Sequence, residues 1–442
     1  MGETIMYVHS APLSATVAAL RAGSLDVSQV VAEVCDRIDE IDPIVKALLP
    51  EPDRRARLLG EARGLSERYA DEEDRPLLFG ALLGVKDIFE VRGFVTRAGT
   101  RVPPSLWPMD EASSVNALRQ AGALVVGKTV TTEFAYYEPG PTRNPHDVRH
   151  TPGGSSSGSA AAVAAGMCHL ALGTQTIGSI IRPAAFCGIV GVKPTFGRVP
   201  TDGVLPFSRS ADQIGLFTQD AVGALLATSV VCRSWDSVRA ADAISEDCPV
   251  LGVPEGPYLD QAPPEALSSF EAQISRLQEA GFEVRRVPLL DDIADINRRH
   301  RLMVAAEMAE VHETWFAQYE ELYRPRTADM IRVGQAADPA AVEEGRDGRW
   351  LLRDHILHVM DDSGVDVWVS PPALGPAPRG IDSTGDPIMN LPWTHAGLPT
   401  LTLPAGRAEN GLPLGLQCAA RWNADEELCG WAVELERALR ET

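Results

Sequence analysis

Three separated groups of residues carry hydroxyl and amine chemistry. Gly153–Ala165, GGSSSGSAAAVAA, sets three consecutive serines between glycines and then runs into small apolar residues. Glycine lets a backbone approach a ligand closely, and a serine hydroxyl can serve as nucleophile, proton relay or helix cap. Alone, the stretch is open to three readings: a nucleophile loop, a phosphate-cradling loop or a capped helix start. Lys86 interrupts the apolar run Leu77–Phe89, LLFGALLGVKDIF, which reads as an interior strand. A lysine is rarely buried there without a partner or a task, although one at a strand end can also send its ammonium to solvent. Ser179 closes a third group, the glycine-containing turn Thr174–Ser179, TQTIGS.

Two familiar arrangements fail on context. Gly154–Gly158 fits G-x-S-x-G around Ser156, but that elbow needs a strand just before the serine, and His146–Pro152 is polar and ends in proline. Asp386 and His395 are available as later acid and base, yet nothing local marks either. A phosphate loop needs lysine after its last glycine, and Gly153–Ser159 has none. What remains is serine chemistry without histidine, in which burial lowers the pKa of a lysine and a second serine relays the proton.

The elements that must hold these residues alternate. Helices are expected at Ser14–Ala22, Ser28–Ile41, Asp53–Tyr69, Ser113–Ala121 and Thr131–Tyr137, with strands at Ala123–Gly127, Leu170–Thr176 and Ile189–Lys193. A short helix is expected over Arg182–Phe186 and a longer one over Asp220–Cys232. Between about 236 and 360 a strand, helix and strand set (Val250–Val253, Pro264–Ala280, Phe282–Pro288) is followed by charge-rich helical segments, after which strands resume at Val365–Ser370, Pro399–Pro404 and Pro413–Cys418. The expectation is α/β: a mixed, largely parallel central sheet covered by helices on both faces, one domain over 1–442 with a helix-rich region embedded at about 236–360.

Composition narrows the function. The 442 residues are 45% hydrophobic and 23% charged, which excludes a wholly disordered chain. The seven cysteines are scattered without a C-x-x-C pair, arguing for reduced thiols and against a zinc motif. The first twenty residues lack a basic segment followed by a sustained apolar run, and no window of about 18 apolar residues appears, so a cytoplasmic protein with no membrane partner is expected. The net charge of −21 argues against a phosphate-binding surface, giving the expectation of no nucleic-acid partner.

At the level of strings, the chain resembles the amidase signature family. GVKD (Gly84–Asp87), GGSSSGSAAAVAAG (Gly153–Gly166) and LGTQTIGSIIRPAAFCGIVGVKPTFGRVP (Leu172–Pro200) carry the likeness, with NPHD, GVLPFSRSADQIG and GLPLGLQ around them. The resemblance implies a Ser-cis-Ser-Lys triad: Ser179 as nucleophile, Ser155 as relay after a cis peptide, and Lys86 as base. It also implies an oxyanion hole from the N–H groups of Thr176, Ile177, Gly178 and Ser179, no cofactor and no metal. Ser156 and Ser157 are expected as structural or helix-capping neighbours.

Departures from the family pattern sharpen the expectations. Ile177 stands where a glycine is usual, and a β-branched residue is disfavoured if that position needs φ > 0. Arg182 lies three residues after the nucleophile rather than two, which with TQT resembles the malonamidase-type branch and suggests a carboxylate on the acyl side. The alternative is an Arg182 that fixes neighbouring loops through carbonyls. Ser157, where glycine is commoner, carries no functional conclusion. Gly154, Tyr137 and Arg143 are further substrate-binding candidates, with Tyr136, His146 and Trp393 as weaker pocket liners. The expected activity is hydrolysis of a small or medium carboxamide through an acyl-enzyme on Ser179, by a possible homodimer. The alternatives are an amidotransferase subunit that delivers ammonia to a partner and an amidase-like scaffold impaired by Ile177.

Overall fold

A computed structural model describes residues 7–245 and 248–440. Its ten strands are β1 (Leu82–Lys86), β2 (Leu124–Thr129), β3 (Leu170–Gln175), β4 (Val190–Lys193), β5 (Gln213–Thr218), β6 (Leu251–Glu255), β7 (Val284–Pro288), β8 (Val367–Ser370), β9 (Thr400–Arg407) and β10 (Pro413–Ala420). They form one sheet in the order β2-β1-β3-β5-β4-β9-β10-β8-β6-β7. Parallel ladders occupy both ends, β2-β1-β3 and β8-β6-β7, and antiparallel ladders join them through the middle. This is the expected mixed α/β sheet with helices against it.

Strand residues alternate between two cores, as the pleat requires. Leu83, Val85, Leu170, Leu172 and Leu216 enter one core. Leu82, Ala171 and Phe217 enter the other, which the helix Val27–Val45 covers with Val30, Val31, Val34 and Ile38. Burial on both faces is why these strands read as continuous apolar runs.

Some expectations shift. β5 was not expected: QIGLFT follows a polar turn and carries a glycine, yet it pairs with both β3 and β4. Thr131–Tyr137 is no helix but a single 3-10 turn, Glu133–Ala135, because Phe134 and Ala135 take positive φ. The strand, helix and strand set expected within 236–360 is present, and its β6 and β7 extend the sheet beside β8. The region also supplies the long helices Ile293–Tyr319 and Pro339–Ser363. Among the described residues no helix is long and apolar enough to cross a membrane.

Candidate active site

β1 and β3 run parallel, with Val85 opposite Leu172, and the site forms where these strands end. Ligands in α/β sheets gather outside the carboxyl ends of strands for this reason. Lys86 is the last residue of β1 and is fully buried. Its Nζ lies 2.8 Å from Ser155 Oγ, 2.7 Å from Thr174 Oγ1 and 3.5 Å from the Thr174 carbonyl. Burial pushes the Lys86 ammonium down to about 7, while the Asp212 carboxylate pulls the other way.

Ser155 is delivered by the serine-rich stretch. The Gly154–Ser155 peptide is cis, and the helix Ser157–Ala164 begins two residues on. That helix is buried all round, which its composition of serine, glycine and alanine permits. A Cβ on Gly158 would strike the Ala47 carbonyl and the Val130 nitrogen, so only glycine fits where helix and loop touch. Ser159 Oγ donates to the Leu172 carbonyl at 2.9 Å and ties the helix to β3. Ser157 Oγ donates to the Gly153 carbonyl, and Ser156 Oγ to Thr174 O. Both are structural neighbours, as expected, but neither caps the helix: Ser156 stands at the cap position without a side-chain cap bond.

Ser179 is half-buried in the loop between β3 and the helix Ile181–Cys187. It shares one narrow pocket with Ser155, Thr176, Ile177, Gly178, Arg182, Ala135, Tyr136, Tyr137, Phe207, Thr384 and Pro387. A wider cavity lined by Asp39, Asp42, Lys46, Arg54 and Arg324 contains neither Ser155 nor Ser179. The two serines expected to act together meet in the smaller space.

The loop before Ser179 is aimed through its carbonyls. The Ile177 carbonyl accepts from Thr394 Oγ1 at 2.7 Å, and the Gly178 carbonyl accepts from the Arg182 N–H at 3.2 Å. A peptide unit is planar, so each held carbonyl also directs the N–H of the next residue. Among the described residues, the N–H groups of Ile177, Gly178 and Ser179 find no acceptor within the protein. Ile177 is not among the residues with positive φ, which removes the strain its side chain would otherwise bring. Gly178 is required for another reason: a Cβ there would run into the Asn390 side chain. Thr176 Oγ1 donates to Asp212 Oδ1 at 2.6 Å, and the N–H groups of Phe207 and Ser208 donate to Asp212 Oδ2. Burial raises the Asp212 carboxyl to about 6 against those bonds.

Arg182 is buried and lines the pocket. Nε donates to the Thr384 carbonyl (2.8 Å) and Nη2 to the Gly154 carbonyl (2.7 Å), while Nη1 has no hydrogen-bond partner. Burial lowers its pKa from the usual value.

Of the other candidates, Tyr136 and Tyr137 line the pocket, whereas Gly154 does not line it and offers its carbonyl to Arg182 Nη2. Arg143 does not line it, since its guanidinium donates to the Val148 carbonyl within its own turn. His146 bonds the Cys187 carbonyl and faces a different cavity, and Trp393 is buried with Nε1 on Tyr258 Oη. Sequence reasoning missed Thr174, Asp212, Phe207 and Thr384 as site residues. Thr174, Phe207 and Asp212 fall inside strings that carry the family likeness, which was the available signal.

A buried amine on one serine, with a second serine in the same pocket and unpaired N–H groups beside it, defines a serine-dependent acyl-transfer enzyme. The chain belongs to the Amidase family, whose sequence profile matches residues 29–429. Its sequence is similar to a glutamyl-tRNA(Gln) amidotransferase subunit from Geobacter sp. (strain M21), 30% identical with 95% of each chain covered. It is likewise similar to the corresponding glutamyl-tRNA(Gln) amidotransferase subunit from Myxococcus xanthus (strain DK1622), 32% identical over 91% of this chain and 92% of that one. Its structure resembles a crystal structure of an amidase, 31% identical with TM-score 0.87, covering 97% of this chain and 100% of that one. It also resembles the native peptide amidase from Stenotrophomonas maltophilia, 27% identical with TM-score 0.81, covering 98% and 97%.

One expectation is overturned by these relatives. Proteins named for glutamyl-tRNA(Gln) match nearly the whole chain, so the exclusion of a nucleic-acid partner does not stand. The physical error lies in the charge argument: −21 is a sum over 442 residues and sets no bound on any local surface.

Proposed function

We propose that the chain cleaves the C–N bond of a primary carboxamide by acyl transfer to Ser179. The carrying observation is Lys86 Nζ, buried and 2.8 Å from Ser155 Oγ, in a site where Ser155 and Ser179 line one pocket. Neutral Lys86 takes the Ser155 proton through its lone pair as Ser155 takes the proton of Ser179. Ser179 Oγ then bonds to the amide carbon, and the carbonyl electrons move onto oxygen. The N–H groups of Ile177, Gly178 and Ser179, with that of Thr176, receive this oxyanion, a kind of interaction worth about 3–4 kcal/mol per important donor. The relayed proton returns to the nitrogen as the C–N bond breaks and ammonia departs. Water attacks the acyl-enzyme by the same relay, releasing the carboxylate and restoring Ser179.

Arg182 supports a malonamidase-type substrate, one with a carboxylate on the acyl side. Arg182 lines the pocket and its buried Nη1 lacks a hydrogen-bond partner, which a substrate carboxylate would supply. The bonds from Nε and Nη2 also tie neighbouring loops, so both expected roles for Arg182 find support in the same side chain.

The fate of the ammonia separates two readings. The near full-length likeness to amidotransferase subunits favours delivery to a partner chain, whereas the likeness to amidase structures supports release to water. A scaffold without activity finds less support, because Ile177 avoids positive φ. The test is ammonia release by the isolated chain from malonamate, propionamide and glutamine, with Ser179→Ala as control. Turnover of malonamate or propionamide supports the hydrolase. Activity confined to glutamine and raised by glutamyl-tRNA(Gln) with partner subunits supports the amidotransferase. No release under either condition overturns the proposal.

A further inference from the structure

The helix Ile293–Tyr319, from the region between 236 and 360, reaches the loop before Ser179. His300 on this helix is fully buried, with Nε2 3.0 Å from the Thr176 carbonyl and Nδ1 3.0 Å from His395 Nδ1. A carbonyl oxygen only accepts, so Nε2 carries the proton. The neutral ring then has a bare Nδ1, and His395 must donate to it from its own Nδ1. His395 Nε2 is left bare, and it has no partner. Burial holds both rings neutral: His300 falls to about 3, and His395 well below the ordinary histidine range. The chain of bonds thus admits one arrangement of protons.

The same helix grips the other side of Thr176. Glu307 lies seven residues after His300, two turns on and on the same face. Its carboxylate accepts from Ser208 Oγ (2.6 Å), Ser210 N–H (2.9 Å) and Ser210 Oγ (2.6 Å), and from Arg346 Nε (2.8 Å). The turn it holds leads into Asp212, the acceptor of Thr176 Oγ1.

We propose that His300 is a positioning residue for the acyl-transfer site: by holding the Thr176 carbonyl, it aims the Ile177 N–H at the oxygen of the substrate carbonyl. The planarity of the 176–177 peptide makes this transmission direct. With Thr394 on the Ile177 carbonyl and Arg182 N–H on that of Gly178, three successive peptide planes before Ser179 are each held by an outside donor. The inference rests on the acyl-transfer reading of the site.

The test compares two neutral amides at one position. The side-chain N–H of His300→Gln can reach the Thr176 carbonyl, whereas the shorter chain of His300→Asn cannot. Each variant is treated with phenylmethylsulfonyl fluoride, sulfonylation of Ser179 is followed by mass spectrometry, and thermal midpoints are recorded. Asn is expected to slow the maximal labelling rate about 10- to 100-fold, with half-saturation within about twofold, and Gln to stay within about threefold of the parent. Equal rates for Gln and Asn overturn the positioning role, as does a loss that tracks the thermal midpoint alone. A parent protein that is not labelled at Ser179, with Ser179→Ala as reference, overturns the acyl-transfer reading itself, a result distinct from equal rates in the variants.

Discussion

Lys86 Nζ meets Ser155 Oγ at 2.8 Å and has no carboxylate as an ion-pair partner among the described residues. A lysine so placed is depressed mainly by burial, to about 7, and reaches its neutral, basic form near neutral pH. Acylation of Ser179 should therefore climb with pH and reach half its plateau near 7, measured as the rate of ammonia release under saturating amide. The same shift acts on stability. Between about 7 and the ordinary 10.5 the unfolded chain holds this proton and the folded protein does not, so folding is favoured as pH rises through that window. Lys193, also lowered to about 7 by burial, contributes with the same sign. Lys86→Met should remove only part of the upward slope of unfolding free energy with pH, as read by urea titration.

Asp212 tunes that lysine from a distance while it holds Thr176. Its negative charge favours the Lys86 ammonium, so Asp212→Asn should move the acid limb of the rate profile to lower pH. A shift toward higher pH would contradict the electrostatic link. The variant also weakens the acceptor of Thr176 Oγ1, so its plateau rate should fall.

Arg182→Ala removes the free Nη1 together with the bonds to Gly154 and Thr384, and should slow every substrate. Its signature is the ratio of kcat/KM for malonamate to that for propionamide, expected to drop about tenfold or more, in keeping with a charged hydrogen bond. Equal losses on the two amides would leave Arg182 as a loop tie alone.

Ile177→Gly separates packing from catalysis. The side chain is 7% exposed, and its loss with the added backbone freedom should cost about 2–4 kcal/mol of unfolding free energy. Because Ile177 avoids positive φ, the glycine relieves no strain, and sulfonylation of Ser179 should remain within about tenfold of the parent.

The legible part of this protein was the part that is contiguous. Lys86, Ser155 and Ser179 each sit in a short string with its own pattern, and the strands near them are apolar runs long enough to read. β5 escaped because its pairing with β3 and β4, not its composition, makes it a strand. The turn at Phe134 and Ala135 escaped because neither residue is of a type that ordinarily takes positive φ. His300 was beyond reach for a different reason: its meaning depends on Thr176 and His395, each far away in the chain. Arg143 shows the converse, a plausible charge in a loop that turns back to its own backbone.

The wholly buried helix Ser157–Ala164 divides the site into a half that cannot vary and a half that can. Every side chain from Ser157 to Ala164 is enclosed, and Gly158 admits no added atom. Selection for a new substrate therefore has little room on the side of Ser155. The pocket residues Tyr136, Tyr137, Phe207, Thr384 and Pro387 lie in loops, where exchange is tolerated. A library meant to redirect this enzyme should diversify those residues and leave the helix untouched.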